Sequence, residues 1–142
     1  MTKLTESETI RMIMNLMEST DNDQFYNGYV EAIFFTNSGD SEDELNDKNL
    51  SDFADETITD MKNDCEKFIS QNSEILDQAY EVEGVSYTPY QAGIDFWFTR
   101  NGHGAGFWDR DLGEIGNKLT KAAKSFKEIN PYVGDDGLVY MG

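Results

Sequence analysis

Five side chains able to do acid–base or ion-binding chemistry fall in one short stretch: Asp95, Arg100, His103, Asp109 and Arg110. His103 is the single histidine of the chain. An imidazole oriented by Asp95 or Asp109 has the makings of a general base, and Arg100 or Arg110 could hold an anionic substrate beside it. The run Asn101-Gly102-His103-Gly104-Ala105-Gly106 between them carries three glycines in five residues. Such a run excludes regular helix and predicts a tight loop or a bulged strand. A structural role accounts for the same residues: the glycines let the chain turn past Trp97 and Trp108, His103 bonds locally, and Asp109 and Arg110 brace the helix that follows. The structural role is the expectation, with no catalytic residue assigned, and a small hydrolase or transferase centred on His103 is the alternative.

Other chemistries find fewer residues. One histidine and one cysteine rule out a multi-cysteine zinc site and any intrachain disulfide. Cys65 falls in an apolar helical register, as a buried structural thiol does. Asp21-Asn22-Asp23 and Asp40-Ser41-Glu42-Asp43-Glu44 lack the glycine and terminal glutamate of a calcium loop, so nothing beyond weak cation binding is expected of them. The glycine run matches neither G-x-G-x-x-G nor a Gly-Lys-Ser/Thr phosphate loop. No metal and no cofactor are expected.

Charge points elsewhere. The 142 residues hold 28 Asp and Glu against 11 Lys and Arg, a net charge of −17. Residues 1–87 contain 21 acids and 5 bases, whereas residues 88–142 contain 7 and 6. Direct binding to a nucleic-acid backbone uses a basic surface and is therefore not expected. The acidic part offers a second candidate site, because Asp55, Glu56, Asp60, Asp64, Glu66, Glu74 and Asp77 take the outward positions of a helix whose inward positions are apolar. Helical turns recur every ~5.4 Å, comparable to phosphate spacing along a strand.

The elements that would position both sites are legible from periodicity and caps. Thr5-Glu6-Ser7-Glu8 has the form of a capping box, followed by Ile10, Ile13, Met14 and Met17 on one face of a helix ending near Ser19. A second helix after Asp21-Asn22-Asp23 carries Phe25, Tyr29, Ala32 and Ile33, with a strand over 30–36 as the alternative. Residues 37–49 read as a mobile acidic loop. Ile58, Met61, Cys65, Phe68, Ile75 and Ala79 predict one helix from about Asp55 to Tyr80, or two with a break near Asn72.

Thr88-Pro89 begins a short helix through Gln91, Ala92, Asp95 and Phe96, with a strand over 94–99 as the alternative. Leu112, Ile115, Leu119, Ala122, Ala123 and Phe126 mark a further amphipathic helix ending before Asn130-Pro131. Tyr132-Val133, the turn Gly134-Asp135-Asp136-Gly137 and Leu138-Val139-Tyr140 predict a β-hairpin, with Gly106 to Trp108 as a third strand or a helix beneath it.

The expected fold class is α+β: a mainly helical single domain, 1–142, with a small C-terminal antiparallel β-hairpin or three-stranded sheet. Its acidic helical part covers about 1–87, and the glycine loop, last helix and hairpin cover about 88–142. No apolar run reaches the length of a membrane span, and Met1 to Glu8 lacks the pattern of a signal peptide, so a cytoplasmic protein without membrane contact is expected. Nothing in the sequence specifies an oligomeric state.

The segment Asp95-Phe96-Trp97-Phe98-Thr99-Arg100-Asn101-Gly102-His103-Gly104-Ala105-Gly106-Phe107-Trp108-Asp109-Arg110 resembles one carried by a group of small proteins of tailed bacteriophages and related mobile elements. Leu112-Gly113-Glu114-Ile115-Gly116 and Tyr132-Val133-Gly134-Asp135-Asp136-Gly137 are also similar. The resemblance spans roughly residues 53–140 and is specific over 93–116. It implies a phage origin, hence the host cytoplasm, and brings no activity or catalytic residue with it. Phage DNA-mimic inhibitors of restriction and CRISPR nucleases supply an analogy. The expected function is a non-enzymatic inhibitor or nucleic-acid mimic of anti-restriction or anti-CRISPR type, whose partner is a basic host nucleic-acid-binding or defence protein. An enzyme built on His103 and an acidic adaptor are the alternatives.

Overall fold

The computed structural model describes residues 20–142, so the helix expected between Thr5 and Ser19 lies outside the described residues. The fold is mainly helical α+β, with five α-helices and one two-stranded antiparallel sheet among the described residues. None of these helices is long and apolar enough to cross a membrane.

Helix α1 spans Asp21–Asn37. Thr20 Oγ1 accepts from the Asp23 N–H at 3.1 Å, and Asp21 and Asp23 sit in the first turn, where the helix dipole favours negative charge. Phe25, Tyr29, Ala32 and Ile33 are buried, so the helical period decides against a strand over 30–36. Residues 38–49 form no helix or strand, but the stretch expected to be a mobile loop is tied down at several points. Leu45 is buried, the Lys48 ammonium donates to the Gly137 carbonyl at 3.0 Å, and Glu44 accepts from the Val133 N–H at 3.3 Å. One apolar residue among many acids shows no period, which is why the anchor was not visible in the sequence.

Helices α2, Asp55–Gln71, and α3, Ser73–Tyr80, are separated at Asn72, the second of the two arrangements the sequence leaves open. The Asn72 side-chain amide donates back to the Phe68 carbonyl at 2.9 Å, a local bond that competes with continuing the helix. The break also changes the phase. Leu76 and Ala79 are the buried residues of α3, and Ile75, expected inside, is only half-buried.

Helix α4 spans Pro89–Arg100, with Thr88 Oγ1 accepting from the Gln91 N–H at 3.1 Å. It is buried on several sides because α1 lies directly against it. A Cβ at Gly28 would stand 2.0 Å from the Tyr90 carbonyl oxygen, and one at Gly93 would stand 1.8 Å from that of Phe25. Glycine at both places lets the two backbones touch. Helix α5 spans Glu114–Lys124, burying Gly116, Leu119 and Ala123 and exposing Lys118, Lys121 and Lys124.

Strands β1, Pro131–Val133, and β2, Val139–Met141, pair antiparallel with Tyr132 opposite Tyr140. Gly106 to Trp108 does not join them: Phe107–Asp109 forms a 3-10 turn. Phe53 instead makes an isolated parallel bridge to Val139. The Val139 carbonyl accepts from the Ala54 N–H at 3.1 Å and from Thr57 Oγ1 at 2.9 Å, so the hairpin is fastened to the start of α2.

One hydrophobic cluster takes residues from all five helices and from β2. Its centre is aromatic: Phe68 meets Phe96 edge-on at 4.4 Å and Phe107 at 5.6 Å, and Tyr29 meets Trp97 at 5.3 Å, arrangements that suit ring quadrupoles. Of the two tryptophans flanking the glycine loop, Trp97 is buried, whereas Trp108 is 43% exposed and lies over Gly106, where a Cβ would meet its ring at 2.3 Å. The 3-10 turn points Phe107 inward and its neighbour outward.

Candidate functional site

Asp95 and Arg100 sit five residues apart on α4, well over a quarter turn around the helix from one another, and each gathers a different set of partners. Asp95 is fully buried. Its carboxylate accepts from the Tyr87 phenol at 2.6 Å, from Gln91 Nε2 at 3.1 Å, and from Arg110 through Nε at 3.0 Å and Nη2 at 2.9 Å. A buried carboxylate requires such saturation. Burial, and then the Asp95 charge, push the Tyr87 phenol far above its ordinary value. The hydrogen bonds to Asp95 hold the Arg110 guanidinium above its own, against the opposing effect of burial.

Arg100 turns the other way and is a brace. Its Nε donates to the Lys127 carbonyl, its Nη2 to that of Phe126, and its Nη1 to Tyr29 Oη at 3.0 Å and to Asp64 at 2.9 Å. The guanidinium also lies over the Phe96 and Phe126 rings. Its side chain is 2% exposed and has no nitrogen left for a substrate. Asp64, expected on the partner-binding surface, is instead the counter-ion of this buried arginine. A sequence cannot reveal that pairing, because the residues are 36 positions apart.

His103 is half-buried, with its backbone N–H on the Phe98 carbonyl at 3.0 Å and its ring edge-on to Phe98 at 5.6 Å. The Asp95 carboxylate is committed to Tyr87, Gln91 and Arg110. Asp109 is exposed, and its own N–H caps back to Gly106. The described contacts therefore do not assemble His103 with either aspartate. The rest of the glycine loop is held by Asn101, which accepts from the Ile129 N–H and donates to the Trp97 carbonyl, and by Thr99, whose hydroxyl accepts from the Phe107 N–H. Among the described residues there is no group of three metal-ligating side chains.

The three partners of Asp95, namely Tyr87, Gln91 and Arg110, line an open cleft of about 370 Å³. Gly84, Val85, Ser86, Tyr87, Thr88 and Gln91 line one side, and Asp109, Arg110 and Asp111 the other. Ser86 and Asp111 both adopt left-handed backbone conformations, with φ of +57° and +58°. Residues other than glycine seldom do so, and such positions cluster at binding sites. Sequence reasoning missed Tyr87, Ser86 and Gln91. The signal for Gln91 was present, since the Thr88 cap puts it one turn before Asp95 on the same face.

The second candidate is the outer surface of α2 and α3. Asp55, Glu56, Asp60, Glu66, Glu74 and Asp77 are exposed. They form two flanks, because Asp55 and Glu66 are three turns apart on one side of α2, whereas Glu56 and Asp60 are one turn apart on another. Among the described residues the ion pairs are Arg100–Asp64 and Arg110–Asp95, so these six carboxylates have no described cation within pairing distance. No family model, curated protein or solved structure matches the chain.

Proposed function

We propose that the chain is a non-enzymatic inhibitor of phage type that uses the acidic surface of α2 and α3 to occupy the basic cleft of a host nucleic-acid-processing or defence protein. The observation that supports this reading is the state of the six carboxylates: exposed, without an ion pair among the described residues, and carried on two helices packed into the core. Both described arginines are engaged, with Asp64 and Asp95, and four of the described lysines lie between Lys118 and Lys127, away from α2 and α3 in the sequence. Carboxylates held without counter-ions attract a basic surface at long range and form charge-assisted hydrogen bonds on contact.

The test is capture from a bacterial lysate with the native chain and with a variant carrying Asn or Gln at Asp55, Glu56, Asp60, Glu66, Glu74 and Asp77. A nucleic-acid-binding protein retained by the native chain, released by salt or by DNA, and lost from the neutralised variant is the expected result. A partner held equally well by both, without competition from DNA, rejects the reading.

A further inference from the structure

The two described arginines differ in what they leave unused. A guanidinium carries five N–H donors in one plane. In Arg100 all three nitrogens are bonded inside the protein. In Arg110 the Asp95 carboxylate takes Nε and Nη2 side-on, and Nη1 makes no hydrogen bond to another described residue. The end-on edge formed by Nη1 and the second Nη2 hydrogen is therefore free, on a side chain that is 28% exposed and lines the cleft. That edge matches a carboxylate in bidentate geometry. Asp95 holds the guanidinium plane still, so the edge is presented at little entropic cost.

The remaining charge in the cleft narrows the ligand. Asp95 neutralises Arg110, and the walls add Asp109 and Asp111, both exposed. A simple anion would meet an excess of negative charge, and a simple cation would leave the guanidinium edge unused. A molecule carrying both signs satisfies both. Gln91 donates its amide nitrogen to Asp95, which turns its carbonyl oxygen away from the carboxylate as a further acceptor for an ammonium. The cleft volume of about 370 Å³ lies at the small end of ligand sites and suits one or two residues' worth of ligand. We propose that this cleft binds a small zwitterion of the α-amino-acid class, with its carboxylate on the free edge of Arg110 and its ammonium toward Asp109 and Asp111. The site is independent of the acidic surface of α2 and α3.

The test uses the full chain and NMR detection of the arginine Nε–H and Gln91 amide signals. Glycine, L-glutamine and L-alanyl-L-alanine are titrated to about 10 mM, which reveals millimolar affinity, alongside acetate and methylammonium. The zwitterions are expected to shift both signals and to bind about tenfold more tightly than either single-charge probe. Arg110→Lys keeps a cation for Asp95 but removes the planar edge, and should lose the binding. Should that variant fail to fold, Asp109→Asn with Asp111→Asn provides the second arm, since asparagine accepts the left-handed backbone of residue 111. It should weaken the zwitterions while leaving acetate unchanged or improved. Silence of all three zwitterions, acetate binding as tightly as glycine, or affinity unchanged in the folded variants overturns the proposal.

Discussion

Asp95 receives Arg110 side-on, with Nε at 3.0 Å and Nη2 at 2.9 Å, across the fifteen residues that contain the glycine loop. The pair closes that loop as a clamp. Removing one partner of a buried pair strands the other, typically at about 3–5 kcal/mol. Arg110→Met should approach that loss in urea denaturation, because Asp95 is wholly enclosed. Asp95→Asn should cost less, since a partly exposed guanidinium can turn to water. Equal and small losses would show that the clamp does not hold the fold.

The contact of α1 with α4 depends on two missing Cβ atoms. Gly28→Ala and Gly93→Ala would drive a methyl into the carbonyls of Tyr90 and Phe25, and backbone cannot yield as a side chain can. Each should lose about 3 kcal/mol. Gly104→Ala, with nothing within 4 Å of its Cβ, should change stability by no more than about 0.5 kcal/mol. Thermal melts of the three variants check the contrast, and a tolerated Gly93→Ala would place the helices further apart.

The two tryptophans are predicted to separate sharply. Trp97 is fully buried and donates its indole N–H to Thr36 Oγ1 at 2.8 Å, so Trp97→Ala should cost about 3–5 kcal/mol. Trp108→Ala should cost about 1 kcal/mol, the loss typical of a surface ring with partial contact. Emission from the Trp108→Ala variant should be blue-shifted relative to that of Trp97→Ala, and the reverse order would exchange their environments.

These contrasts mark what the sequence holds and what it withholds. Apolar period and caps located α1, α2, α4 and α5. The polar Asn72 located the break, and the Gly134–Gly137 turn located the hairpin, because each is set by neighbours within a turn or two. Partners from distant positions were not legible. They include Phe53 on Val139 in place of a third strand, Asp64 on Arg100, and Leu45 anchoring an otherwise acidic segment. Of the candidate site, Asp95 and Arg110 were visible as chemistry. That they face each other, with His103 elsewhere, follows from which side of α4 each residue takes and from the 3-10 turn after the loop.

Alkaline pH should unfold the protein cooperatively. Burial raises the phenols of Tyr29, Tyr80 and Tyr87 well above the ordinary 10.0. A group whose folded value is raised contributes its stability in full below the unfolded value and loses it as pH climbs beyond. Tyr140 follows the same sign, pushed up to about 12 by its hydrogen bond to Asp136. Phenolate absorbance from the buried phenols should therefore appear only above pH 10, together with the loss of helical circular dichroism. Full ionisation while the helices persist would contradict the burial of these rings.

The Val139 carbonyl ties down the start of α2 from 82 residues downstream, accepting from the Thr57 hydroxyl. A ribosome delivers α2 long before it delivers that carbonyl. Until Val139 is made, the Ala54 N–H and the Thr57 hydroxyl have only water to donate to. Closing so long a loop costs more chain entropy than forming any single helix, so the start of α2 gains its last protein partners only when the hairpin meets it.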